Sequence, residues 1–339
     1  MRPALVSVVP LALACAAPLA CAPSAHRSAP HGVAPEPCAD APLSSPASIG
    51  AARPIDVAIT VDDLPDHGEG VPGQSRLAIH EAFVSAFRAH HLPPVYGFVN
   101  GAALERHPED RAALEAWVAA GNPVGNHTRT HPDLHRLSVD AYLADLDANE
   151  PLLRELEHGA DDRTWKVFRY PFLEEGTDLA TRARIRAQIL ARGYRIAQVT
   201  VDFYDWAYNA PYARCLARHD DKAISALKKS YLDDAVVWLH WADAAARALF
   251  GRSIEHILLL HIGAFDSLVI GDLLTEYEKL GVRFVPLERA LADPAYAVEQ
   301  RAPRALGGTY LEQVRESRGV TDPPEPSLPD ALLDALCGS

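Results

Sequence analysis

The stretch Ile55-Asp56-Val57-Ala58-Ile59-Thr60-Val61-Asp62-Asp63 decides the fold. Ile55–Val61 is a short run rich in β-branched residues, the composition of a strand. It ends abruptly in two adjacent carboxylates. Neighbouring carboxylates at a strand end are costly unless a proton or a cation separates their charges. The run therefore reads as a strand that delivers two acidic groups to one end of a sheet.

The pattern of residues 55–63 recurs along the chain. Further strands are predicted at Val95–Val99, Pro123–Gly125, Trp165–Tyr170, Arg195–Val201, Ile257–His261 and Arg283–Val285. Helical stretches fall between them, at Arg76–His90, Glu109–Ala120, Val139–Glu157, Leu179–Arg192, Asp221–Phe250 and Ser267–Leu280. Strand followed by helix, six or seven times over, predicts an α/β protein built on a distorted (β/α) barrel of about seven parallel strands. An open doubly wound sheet is the alternative. The glycine-rich dinucleotide fingerprint is absent.

The flanks differ from this body. Arg2 precedes a nearly unbroken run of apolar and small residues to Ala22, which predicts a signal peptide over residues 1–22. Cys15 and Cys21 each follow Leu-Ala, so a lipoprotein-type signal with a lipid anchor to the membrane is expected, with free secretion as the alternative. Residues 23–53, rich in Ala, Pro and Ser, read as a linker, residues 54–300 as the folded domain, and 301–339 as a tail with one helix near Leu311–Ser317 and a Pro-rich part that packs loosely. Export leaves Cys38, Cys215 and Cys337, enough for one disulfide whose pairing the sequence does not choose. No CxxC spacing is present, which argues against a cysteine zinc site. A formal net charge of −13 argues against a nucleic-acid partner, because nothing would neutralise phosphates.

Polar groups suited to chemistry recur at the C-terminal ends of the predicted strands, where barrel enzymes build their sites. Besides Asp62 and Asp63, these are His127 and His131 in an HxxxH spacing, which would put both imidazoles on one face of a helical turn, within reach of a metal. Residue 128 is Thr, so this is not the HExxH metalloprotease motif. Arg169 in Arg169-Tyr170-Pro171-Phe172 can hold a carboxylate by parallel hydrogen bonds. Asp202-Phe203-Tyr204-Asp205-Trp206 places acids beside an aromatic face that a sugar could stack on. His261, at the end of Leu258-Leu259-Leu260-His261, is a candidate general acid. Each cluster alone has an ordinary explanation as a cap, a salt bridge or a core residue. Five in one order are harder to assign to accident.

Taken together, the five clusters resemble the motifs of the polysaccharide deacetylase family (NodB homology domain, carbohydrate esterase family 4), over about residues 55–290. The resemblance implies a NodB-type barrel and a hydrolase that removes N-acetyl groups, or O-acetyl groups by the same chemistry, from an envelope or extracellular polysaccharide such as peptidoglycan or chitin-like oligomers. It implies that Asp63, His127 and His131 hold one divalent cation, Zn2+ first and Co2+ as the alternative. Asp62 would be the base for a metal-activated water, and Arg169 would orient Asp62. His261 would be the acid, Asp202 would hold His261, the backbone N–H of Phe172 would help stabilise the oxyanion, and Trp206 would line the pocket. Three departures stand out: Val61 replaces the usual aromatic before the acid pair, Phe172-Leu173 replace a common Tyr-Gly, and Leu64-Pro65-Asp66-His67-Gly68 follows the acids, with His67 read as a surface turn. Two other readings compete: an amidohydrolase acting on a small amide or cyclic imide, and an inactive glycan- or metal-binding lipoprotein. The sequence does not fix the oligomeric state.

Overall fold

β1 (Asp56–Leu64) is the central strand of the sheet. Its residues are buried almost throughout, on both faces, as expected of a parallel strand sandwiched between layers. It pairs in parallel with β2 (Tyr96–Val99) on one side and β6 (His256–His261) on the other, while β7 (Arg283–Phe284) joins its first residues. β3 (Val124–Asn126), β4 (Val167–Phe168) and β5 (Arg195–Ile196) extend the sheet beyond β2, giving the order β5-β4-β3-β2-β1-β6. The structure is a computed structural model and describes residues 54–157, 164–298, 300–301 and 307–338. The segments expected as signal peptide and linker, with Cys15, Cys21 and Cys38, lie outside the described residues. No described helix is long and apolar enough to cross a membrane.

The sheet curls until its ends meet. Ile196 pairs with Phe168 of β4, yet five residues later Val201 bridges Leu258 of β6. The N–H of Leu259 donates to the Val201 carbonyl at 3.0 Å, and Val201 N–H to the Ile257 carbonyl at 3.1 Å. The stretch expected as one strand, Arg195–Val201, thus bends to serve two neighbours, which is why the regular part of β5 is short. The result is the expected distorted (β/α) barrel of parallel strands rather than an open sheet. Gly97 in β2 shows how tightly it packs: a Cβ there would lie 2.4 Å from a Leu64 methyl.

Helices cover the outside, with ends set by local chemistry. Ser75 caps the helix Arg76–Ala89, Ser138 caps Val139–Leu156 and Asp178 caps Leu179–Ala191, each accepting a backbone N–H of the first turn. The long helix Asp221–Phe250 begins at Asp220 and stops at Gly251, whose φ of 72° favours a residue without a Cβ. These bounds lie within about three residues of the sequence expectations.

The helix expected near Leu311–Ser317 is present and packs on the body, whereas the Pro-rich stretch after it is largely exposed. The helix Tyr310–Arg318 buries Tyr310, Leu311, Val314 and Arg315, and the N–H of Tyr310 donates to the Val199 carbonyl at 2.6 Å. Thr309 and Glu312 form a reciprocal capping box at its start. Cys215 and Cys337 are disulfide-bonded, fixing the pairing left open by the sequence. A link across 122 residues restricts the unfolded chain strongly. Cys337→Ser should lower the unfolding free energy by about 2–4 kcal/mol in denaturant titrations, and reducing agent should do the same to the wild type but not to the variant.

Candidate active site

The mouth of the barrel gathers the polar ends of its strands around a cavity of about 530 Å3. In the β1–β6 register Asp62 lies opposite His261, so a carboxylate and an imidazole from distant parts of the chain become neighbours. Arg169, just past β4, reaches under them. It is only 1% exposed, and its Nη1 donates to both oxygens of Asp62 at 3.1 Å. Its Nε donates to the Ala197 carbonyl at 2.8 Å, and Nη2 to Thr60 Oγ1 at 3.0 Å. Burial raises the Asp62 carboxyl to about 6, with the Arg169 charge opposing a larger rise.

Asp63, His127 and His131 converge beside Asp62. Asp63 Oδ1 lies 3.5 Å from His127 Nε2 and 3.4 Å from His131 Nε2, and it is buried without a hydrogen-bond partner. His127 Nδ1 sits 2.9 Å from the Arg169 carbonyl. A carbonyl only accepts, so Nδ1 carries the proton and Nε2 presents a lone pair to the cavity. Burial lowers the His127 pKa to about 3 and also lowers that of His131, keeping both rings neutral. Lone pairs facing a carboxylate oxygen form an acceptor set without a donor. Their ligand atoms lie within 4.8 Å of one another, and the donor set of two imidazoles and one carboxylate fits a divalent cation.

The HxxxH segment reaches this geometry without a helix. Thr128 and His131 have φ of 64° and 53°, and the chain bends between them. This corrects the expected helical turn. A buried asparagine pair holds the bend: Asn126 Oδ1 accepts from the Thr128 N–H at 2.9 Å and from Asn149 Nδ2 at 3.1 Å. Of the nine described non-glycine residues with positive φ, five line the cavity: Asp63, His131, Phe172, Leu173 and Tyr204. Such conformations cost of order 1–3 kcal/mol each and persist where the surroundings impose them, often at functional sites.

The acid side requires a second correction. Asp205, not Asp202, holds His261: its Oδ1 is 2.8 Å from Nδ1, and its Oδ2 accepts the His261 backbone N–H at 2.6 Å. The short helical turn Asp205–Tyr208 tucks Asp205 fully under the ring. Burial alone would lower the imidazole, but Asp205 dominates and His261 is pushed up to about 10. Asp202 instead accepts the Tyr204 N–H at 2.8 Å and lines the cavity, where burial pushes it up to about 7.

The remaining expected residues are also at the mouth. Trp206 and Phe172 are exposed cavity walls, and the Phe172 ring meets His131 edge-on with centroids 4.4 Å apart. His67, read from sequence first as a surface turn and second as reaching the site, belongs to the site: its Nδ1 is 2.7 Å from Asp63 Oδ2, and its ring lies tilted against His261 with centroids 4.6 Å apart. Its only sequence signal was proximity to the acid pair. Gly307, Gly308 and Glu312 complete the wall from the C-terminal segment. The Gly307 seat is close, since a Cβ there would fall 2.1 Å from the Phe172 carbonyl oxygen.

Residues 50–185 match the family model described as polysaccharide deacetylase. No curated protein is a match. Solved structures similar to this chain include the chitin deacetylase of the fungal pathogen Colletotrichum lindemuthianum, with 20% identity, 71% of this chain and 89% of that chain covered, and a TM-score of 0.48. A family 4 carbohydrate esterase from Streptomyces lividans in complex with acetate gives 19%, 69%, 95% and 0.44. A family 4 pseudoenzyme from Bacillus anthracis gives 16%, 70%, 66% and 0.47.

The pairing of Asp205 with His261 is testable in the metal-free protein by NMR titration of the imidazole. Wild-type and Asp202→Asn proteins should keep His261 protonated until pH rises towards about 10. In Asp205→Asn the titration should fall towards the ordinary histidine range, about 6.5. Equal titrations in both variants would overturn the pairing. Residues 50–185, the part of the chain that matches the polysaccharide deacetylase family model, carry Asp62, Asp63, His127, His131 and Arg169.

Proposed function

We propose that this chain is a metal-dependent deacetylase that hydrolyses N-acetyl groups, and O-acetyl groups by the same route, on an acetylated glycan. One observation carries the reading. A buried carboxylate held by arginine, an imidazolium held by aspartate and a candidate metal group share a single cavity. Asp63, His127 and His131 would hold the cation, Zn2+ or Co2+. When bound, it would polarise the acetyl carbonyl and acidify water.

The chain's own groups then divide the proton work. Asp62, ionised and oriented by Arg169, takes a proton from the attacking water as the new C–O bond forms. His261, kept protonated by Asp205, gives its proton to the leaving nitrogen as the C–N bond breaks. The products are acetate and a free amine. The backbone N–H of Phe172 is the proposed oxyanion donor. Trp206 and Tyr204 offer aromatic faces to the sugar.

We also propose export to the cell envelope, on the strength of residues 1–22, with a lipid anchor through Cys21 or Cys15. A second substrate reading, a small amide, rests on the wall that Gly307, Gly308 and Glu312 add to the cavity.

Acetate release from N-acetylglucosamine oligomers, peptidoglycan and small N-acetyl amines tests these readings together. Chelation should abolish release, and Zn2+ should restore it. Asp62→Asn should cost about 10²–10⁴-fold in kcat. Equal release from wild-type, chelated and Asp62→Asn protein would sink the mechanism. Release from small amines alone would select the second substrate. Zinc binding with no release from any of them would leave an inactive binding protein.

A further inference from the structure

A second group of metal-type ligands lies beside the first and shares no residue with it. Asp133, His135 and Glu174 place a carboxylate oxygen, an imidazole nitrogen and a second carboxylate oxygen within 4.8 Å of one another. Asp133 and His135 belong to the loop that follows His131, where the Asp133 side chain caps the short turn Leu134–Arg136. Glu174 follows Phe172 and Leu173 on the facing loop. The site is therefore assembled from two chain segments that meet only in the fold.

Three observations point to a ligand. Glu174 is only 8% exposed. Its Oε2 is buried with no hydrogen-bond partner, and so is His135 Nε2. Glu174 Oε1 stands 3.4 Å from His135 Nδ1, longer than a good charge-assisted hydrogen bond. Two carboxylates this close, one of them largely withdrawn from water, repel unless a proton or a cation lies between them. Arg136 pairs with Asp133 at 2.8 Å, but it is 85% exposed and approaches from the solvent side. A mixed set of one nitrogen and two oxygens suits zinc or a cation of similar preference, with water completing the coordination.

We propose that Asp133, His135 and Glu174 form a second divalent-cation site, distinct from the Asp63–His127–His131 group. Its role is to clamp the loop carrying His131 to the loop carrying Phe172. Those two residues already touch, ring against ring, at the edge of the cavity. A cation two residues beyond His131 and two beyond Phe172 would fix the separation of the two loops. It would set the shape of the cavity rim and take no part in proton transfer.

The test is metal stoichiometry, which needs no substrate. Metal-stripped wild-type protein is titrated with Zn2+ alone by calorimetry, and bound zinc is counted by elemental analysis after desalting. Wild type should hold two equivalents. Glu174→Gln and, as a second and independent variant, His135→Gln should each hold one. His127→Ala should also hold one, and His127→Ala combined with Glu174→Gln should hold none. The first site should survive in Glu174→Gln, and with Co2+ its visible spectrum should match the difference between wild type and His127→Ala. One equivalent in wild type, lost in His127→Ala and kept in Glu174→Gln, overturns the second site and leaves the first intact. It would mean that a shared proton neutralises Asp133 and Glu174. Two equivalents retained in both Glu174→Gln and His135→Gln also overturn it. One equivalent kept in His127→Ala and lost in Glu174→Gln upholds the second site and removes the first.

Discussion

The guanidinium of Arg169 is buried at the barrel mouth, and the rest of the site is arranged around it. Its donors reach Asp62 and Thr60 on β1 and the Ala197 carbonyl past β5, so one side chain ties separate strands at the level where chemistry would occur. The plane of the guanidinium also covers the Phe98 ring at 4.7 Å. A buried ion pair is weak evidence for stability, because well-packed apolar replacements are often neutral or better. Removing one partner is different and costs about 3–5 kcal/mol, since the other charge is left stranded. Such a pair is best understood through the state it imposes: a carboxylate that stays ionised where water has been excluded. The carbonyl of the same Arg169 fixes the tautomer of His127, so one residue orients both the base and a candidate metal ligand.

The other half of the site repeats this logic with opposite sign. His261 is paired in register with Asp62 but rests on Asp205, so its environment favours the charged form. Asp62 is drawn up to about 6 and His261 to about 10. Between those values the carboxyl is without its proton and the imidazole has one. Both are raised, but the imidazole stays well above the carboxyl, and that separation lets a base and an acid coexist at one pH. The geometry follows from the fold alone: adjacent parallel strands end at the same level, and each delivers its last side chain to the same mouth.

Much of this was legible in the sequence because it depends on position along a strand. The apolar run before Asp62 and the Leu-rich run before His261 announce strands, and strand ends in a barrel converge. What escaped depends on rotation and distance. Asp202 and Asp205 are the same kind of residue three apart. Only the left-handed Tyr204 and the turn after it decide which one meets His261. His127 and His131 have helical spacing, yet the bend that joins them is imposed by Asn126 and Asn149 from another element. His67 follows the acid pair so closely that a turn is its simplest reading, and nothing local shows that the turn folds back over Asp63. Gly307 and Gly308 lie more than a hundred residues from Trp206, and no periodicity links them to the cavity.

The origin of these parts along the chain bears on what the protein acts upon. The segment that matches the family model, residues 50–185, supplies the proposed base, the candidate metal ligands and the arginine that holds Asp62. His261, Asp205 and Trp206 come from later residues, and Gly307, Gly308 and Glu312 from the C-terminal segment anchored through Cys337. Activation of water needs only the first set. Acceptance of a leaving group, and the room allotted to whatever carries it, are decided by the second. The glycine seat against the Phe172 carbonyl is the join between the two: the backbone of the C-terminal segment approaches so closely that no side chain could be placed there. A contact of that kind fixes the position of a wall. The shape of the cavity is therefore set in part by this chain's second half, and substrate choice is the feature on which the family match over the first half is least informative.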